Sequence, residues 1–131
     1  MPQPLIFDDF RPGSRLGTHR ITLDAALIAA WTAVEPEAPL DAEGRLPPGL
    51  LVALAMRGYL AVVTPRPPGN VHAGMDLAFT GAAHQGETLE LEILCLDKED
   101  RKGRRWVHFG VSQTVGARPV LTARLTLIWA Q

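Results

Sequence analysis

The chain of 131 residues has one cysteine, Cys95. A lone thiol cannot build an intrachain disulfide framework, a zinc ribbon or a C-x-x-C redox pair, so Cys95 reads as a small buried hydrophobe. Neither sign of charge is in excess. Thirteen Lys plus Arg against fourteen Asp plus Glu give a formal net charge of -1, which offers no basic field for nucleic acid or another polyanion. The longest apolar segment falls short of the roughly 20 residues that a bilayer crossing needs, so no membrane association is expected. The N-terminus, MPQPLIFDDF, lacks a basic region followed by a long apolar one. Neither signal peptide nor anchor is therefore expected, and a cytoplasmic location is the default expectation. Repeats, low-complexity tracts, a phosphate loop, a dinucleotide fingerprint and metal-ligand spacing are all missing, and no metal and no resident cofactor is expected. At 14.2 kDa the sequence reads as one domain over residues 1–131.

What is present is organised around Leu46 to Thr64, LPPGLLVALAMRGYLAVVT, the one long apolar stretch with helix punctuation at both ends. Pro47 and Pro48 suit a first turn, where a missing N–H costs nothing, and Pro65, Pro67 and Pro68 close the far end. The pattern predicts a helix over about Pro48–Val63 in which only Arg57 is charged, hence a helix buried on nearly every face. Arg15 to Leu23 reads as a first strand, and Thr22 and Asp24 can cap a short helix carrying Leu27, Trp31 and Val34 along one side. Glu35 to Arg45 is a loop with four carboxylates. Period-two alternation then marks strands at Asn70 to Thr80, Thr88 to Leu96, Trp106 to Val115 and Val120 to Ala130, the first half-buried. Asp97 to Gly103, DKEDRKG, reads as a charged hairpin tip. Five strands, four of them joined in sequence by tight turns, predict an antiparallel meander wrapped around the central helix in an α+β domain.

The stretches FDDFRPGSRLGTHRITLDAALIAAW (Phe7 to Trp31), QGETLELEI (Gln85 to Ile93) and QTVGARPVLTARL (Gln113 to Leu125), with the order of elements between them, resemble the MaoC-like hydratase/dehydratase branch of the hotdog-fold superfamily. The resemblance implies a hotdog fold, with a five-stranded antiparallel sheet around one long helix. It further implies addition of water to a 2-enoyl thioester or the reverse, with an acyl-CoA or acyl carrier thioester as substrate or ligand. That family's Asp-x-Asn-Pro-x-His loop is missing. In EPEAPLDAE, Asp41 falls at the histidine position and Glu35 or Glu37 near the aspartate position.

Glu35 and Asp41 are thus candidate catalytic carboxylates, able to divide acid and base roles if burial separates their pKa values. His72 is the third candidate, because the strand after the helix of this fold lies at a dimer seam facing the partner's helix start. His19, His84 and His108 read as structural. The amides of Gly49, Leu50 and Leu51 stand free at the helix start, and Gly49 is the candidate oxyanion donor. Arg66, Arg104 and Arg105 are candidates for meeting phosphates of a thioester carrier. The resemblance implies a homodimer or a heterodimer with another hotdog subunit. Two readings stay open: an enoyl-thioester hydratase or acyl dehydratase with rearranged acid-base groups, and a non-catalytic acyl-binding or partner subunit. An acyl-CoA thioesterase is less favoured, because Pro48 to Val63 holds no Asp or Glu.

Overall fold

The computed structural model describes residues 2–131. Strand β1 (Arg15–Thr22) leads into helix α1 (Ala25–Val34), then helix α2 (Pro48–Val62), then β2 (Val71–Phe79), β3 (Thr88–Arg101), β4 (Arg104–Val115) and β5 (Arg118–Trp129). All pairings are antiparallel in one five-stranded sheet, ordered β1-β3-β4-β5-β2. With α2 held against its inner face, this is the expected α+β hotdog arrangement. The meander is real only for β3, β4 and β5. After α2 the chain enters the far edge beside β5, then crosses past β5 and β4 to begin β3 beside β1, a step that local turn signals do not encode.

Alternation decides the faces of the sheet as read. Leu89, Leu91, Ile93 and Cys95 on β3, Val107, Phe109 and Val111 on β4, and Leu121, Ala123, Leu125, Leu127 and Trp129 on β5 are buried against α2. Gln113 occupies an inward position among them and is fully buried, its Nε2 donating to the Leu51 carbonyl at 2.8 Å. Phe10 closes one end of this core, with edge-to-face contacts to Trp129 at 4.8 Å and Phe109 at 5.2 Å.

Three expectations change. Helix α2 is buried along one face only, through Leu50, Leu51, Leu54, Ala55, Gly58 and Tyr59, while Ala53, Arg57, Leu60 and Ala61 stay exposed. The sheet curls over α2 from the β1, β3 and β4 side, so among the described residues the opposite side of the helix stays exposed. Strand β2 is correspondingly exposed rather than half-buried. Met75, Leu77 and Phe79 pair with the inward residues Leu125, Ala123 and Leu121, yet no helix lies over them, and a bulge between His72 and Gly74 breaks the alternation. Finally, the predicted tip at Asp97 to Gly103 is mostly strand. Only Lys102 and Gly103, with φ of 53° and 73°, form the turn. Positive φ at both central residues matches the right-handed twist of the flanking strands, and glycine supplies one of the two without strain.

Asp24, not Thr22, caps α1, its Oδ1 accepting from the Leu27 N–H at 2.9 Å. Leu27, Ile28 and Trp31 turn toward the core, but Val34 is 75% exposed because α1 ends as the chain leaves the body of the protein.

Candidate functional site

The start of α2 is the best-defined chemical feature of the fold. Pro47 and Pro48 carry no N–H, and the Leu50 and Leu51 amides both donate to the Pro47 carbonyl, at 3.1 and 3.3 Å. Of the three amides read as free, only that of Gly49 lacks an acceptor, and Gly49 is exposed. It is thus one N–H, at the positive end of a 15-residue helix, that is open to an oxygen developing negative charge. The Trp31 ring stands over this glycine: a Cβ built there would lie 3.4 Å from Cη2. The indole is held by its Nε1–H, which donates to the Ala38 carbonyl at 2.7 Å, and this bond also ties the 35–45 loop to α1.

Within that loop the two candidate carboxylates are placed apart in role. Glu35 is the exposed residue at the C-terminus of α1, its N–H donating to the Trp31 carbonyl at 2.8 Å. Asp41 turns the loop: its Oδ1 accepts from the Glu43 and Arg45 amides, each at 2.9 Å, and Oδ2 lies 3.7 Å from Arg45 Nε. The Arg45 backbone amide, foremost, holds the Asp41 carboxyl below the usual aspartate range. Both carboxylates are exposed, so neither has the buried setting that dividing acid and base roles between them would need.

The loop leads directly to a histidine that sequence reasoning set aside. Arg45 forms an antiparallel bridge with His84, Gln85 N–H donates to the Gly44 carbonyl at 2.9 Å, and Leu46 N–H donates to the Ala83 carbonyl at 2.9 Å. These bonds place His84 beside Arg45, in the segment that leads into α2. Glu87 Oε1 accepts from the His84 amide at 2.7 Å and lies 3.1 Å from the imidazole Nδ1. Its other oxygen accepts from Arg118 Nη2 at 2.7 Å. That bond, first, and those to His84 hold the Glu87 carboxyl below the usual glutamate range. The tautomer that satisfies an ionised Glu87 carries its proton on Nδ1 and presents Nε2 as an acceptor, and Nε2 has no partner among the described residues. The signal for this pair is the H-x-x-E spacing of His84 and Glu87 across a glycine turn. It was masked because a histidine in a turn more often serves structure.

His72 lies at the other end of the sheet. It pairs with Leu127, whereas Gln113, which contacts α2 at Leu51, pairs with Leu121. Six residues of strand separate the two levels, about 20 Å. Within one protomer His72 and Gly49 therefore do not meet. The imidazole is exposed, with Nε2 at 2.9 Å from the Gly74 carbonyl. Arg66 sits past the C-terminus of α2 and uses Nη1 on the carbonyls of Leu60 and Val63, at 2.8 and 2.7 Å. Arg104 and Arg105 border a shallow depression with Asp100 and Trp129. All three arginines stand away from the α2 start, at the end of the sheet where the β3–β4 hairpin turns. Among the described residues no three His, Cys, Asp or Glu side chains converge as a metal site, and no helix is long and apolar enough to cross a membrane.

No family model and no curated protein sequence matches the chain. Solved structures do. A MaoC-like dehydratase from Rhodospirillum rubrum superposes with a TM-score of 0.75 at 19% identity, covering 97% of this chain and 98% of that one. The R-hydratase PhaJ1 from Pseudomonas aeruginosa gives 0.75 at 18% identity, over 98% and 87%. A point mutant of the fluoroacetyl-CoA-specific thioesterase FlK, in complex with fluoroacetate and CoA, gives 0.68 at 19% identity, over 91% and 94%. The hotdog fold is shared along essentially the whole chain, in the form seen in MaoC-like structures.

Proposed function

We propose that this protein acts on acyl thioesters as a hydratase or dehydratase of the 2-enoyl/3-hydroxyacyl type, with the thioester carbonyl seated at the Gly49 amide. The observation that carries this reading is the His84–Glu87 pair, held by backbone bonds beside the helix start that bears the one unpartnered amide. In the hydration direction, His84 Nε2 takes a proton from water as its oxygen bonds to C3. The displaced π electrons move through C2 to the carbonyl oxygen, where the Gly49 N–H stabilises the enolate. The imidazolium, steadied by Glu87, then returns the proton to C2. The MaoC-like and R-hydratase structures share the scaffold, which supports this chemistry without fixing the substrate.

A homodimer through β2 accompanies the proposal. Its edge is unpaired, and Val71, Leu77 and Phe79 beside Leu60 of α2 are 39 to 52% exposed. In an antiparallel β2–β2 joint, the start of one β2 lies beside the end of the other. His72 of one protomer would then sit at the level of the partner's α2 start, which keeps it as a second acid-base candidate. The non-catalytic reading retains one specific support, the Trp31 ring standing over Gly49.

Hydration of crotonyl-CoA, followed by loss of enoyl absorbance, tests the proposal. Wild-type protein turns over, His84→Ala falls by about 10²- to 10⁴-fold, and the double variant Glu35→Gln/Asp41→Asn stays within a few-fold. Absence of hydration while butyryl-CoA still raises Tm leaves only the acyl-binding reading. Absence of both overturns the assignment.

A further inference from the structure

A second concavity lies far from the start of α2. Its volume is about 240 Å³, and its walls come from the C-terminal half of α2 (Met56, Tyr59, Leu60), from the segment after it (Arg66, Asn70) and from the sheet (His72, Leu127). Ten residues of helix separate Gly49 from Tyr59, about 15 Å along the axis. The walls are mostly apolar, but two of the lining side chains carry an unmet polar demand. Tyr59 is 2% exposed and its hydroxyl has no partner, and the Asn70 Nδ2 is likewise buried without an acceptor. Asn70 is not free to turn its amide over, because Oδ1 accepts the Ala130 N–H at 2.8 Å. Its NH₂ group is therefore committed as a donor. Burial, foremost, pushes the Tyr59 hydroxyl far above the usual tyrosine range, so it too remains an O–H donor. Beside them, Arg66 uses Nη1 on backbone carbonyls and keeps its charge and its other N–H groups.

Buried polar groups without partners are uncommon in native structures, and each destabilises the fold that leaves it so. Two at one concavity, both donors, with a guanidinium alongside, describe one kind of guest. We propose that this groove binds a short acyl group by its acceptor oxygen, a carboxylate or a carbonyl, received by the Tyr59 O–H and the Asn70 NH₂ with the alkyl part against Met56, Leu60 and Leu127. Both donor atoms are shut off from solvent in the empty groove, so the oxygen enters as a lining side chain rotates aside. Met56, unbranched and half-buried, is built for that. Within one protomer the groove is separate from the Gly49 end of α2, and in the proposed β2–β2 dimer its His72 and Leu60 walls border the joint.

The test uses the full chain and butyrate, butyramide and butylamine as probes, titrated by calorimetry and by ¹H–¹⁵N spectra that resolve the Asn70 side-chain amide. Butyrate binds and moves that resonance, and butylamine does neither. Butyramide binding as well as butyrate assigns the groove to a carbonyl, such as that of an acyl thioester or amide; butyrate binding tenfold or more tighter assigns it to a free carboxylate. Tyr59→Phe, which removes one oxygen from an otherwise unchanged ring, weakens the better probe about tenfold without lowering Tm. Asn70→Asp keeps the acceptor for the Ala130 amide, loses the donor and abolishes butyrate binding. If neither butyrate nor butyramide moves the Asn70 amide, or butylamine binds equally well, or both variants bind as the wild type does, the proposal is overturned.

Discussion

The two glycines of α2 make opposite predictions for the same substitution. An alanine in place of glycine in a helix gains up to about 1 kcal/mol from backbone entropy alone. At Gly49 the added methyl meets only the Trp31 ring, at 3.4 Å, an ordinary contact on an exposed turn. Gly49→Ala is therefore expected to stabilise by about 0.5 kcal/mol, roughly 2 °C in Tm for a domain of this size. At Gly58 the methyl would lie 2.6 Å from Leu91 Cδ2 and 3.4 Å from its Cβ. Leu91 is 1% exposed and walled in by the sheet, so it cannot swing away, and overpacking of this kind costs about 1–3 kcal/mol. Gly58→Ala should thus lose about 1 kcal/mol net, near 4 °C. Urea and thermal unfolding measure both. The functional readout separates the pair in the other direction: Gly49→Ala crowds the one free amide and lowers kcat/KM on crotonyl-CoA at least tenfold, whereas folded Gly58→Ala keeps its activity. A Gly58→Ala protein as stable as the wild type would refute the close approach of helix and sheet. Full activity in Gly49→Ala would refute a carbonyl at that amide.

Two further outcomes follow from the same geometry. The Glu87 carboxyl is held below its ordinary value in the folded chain, chiefly by Arg118, so it contributes stability above the unfolded-state pKa near 4.5 and loses it as pH falls through the lower folded value. Tm measured from pH 6 to pH 3 should therefore drop less steeply in Glu87→Gln than in the wild type, and equal slopes would rule out the paired carboxylate. A charge on the open edge, Phe79→Lys, should turn a dimer into a monomer in light scattering while leaving the monomer folded, since Phe79 is 48% exposed. A dimer unmoved by this change uses a different surface.

The sequence made the inner faces of β3, β4 and β5 readable because each alternates over its central stretch, the register shifting only after Cys95 and at Gln113, and Gln113 falls on the inward side of that alternation despite its polarity. The bond from Gln113 to the Leu51 carbonyl is what makes that position tolerable. The same rule misled at β2, where Val71 to Phe79 alternates well enough but has nothing to pack under, and where a bulge shifts the register at His72. Apolar alternation reports a face fit for burial, not what covers it. Strand order was illegible for a related reason, since β2 finds its partner in the last strand of the chain, with two others intervening. Asp41 and Glu35 drew attention by their spacing, yet both are exposed, Asp41 spends its carboxylate on the amides of a loop turn and Glu35 stands at the C-terminus of α1. His84 is the reverse case: its significance comes from the Arg45 bridge, a contact between segments that no local pattern announces.

That β2 must wait for β5 has a bearing on how the protein is made. Translation delivers the grease-lined ribbon of Val71 to Phe79 well before its neighbour β5, and even the N-terminal segment waits, since the Phe7 amide donates to the carbonyl of Gln131. Until β5 has been made that ribbon stays unpaired, and removing Ala130 and Gln131, which bond to Asn70 Oδ1 and to the Phe7 amide, should be more damaging than the small area lost would indicate. Such a topology favours slow closure and a long window in which a sister chain can take the vacant place.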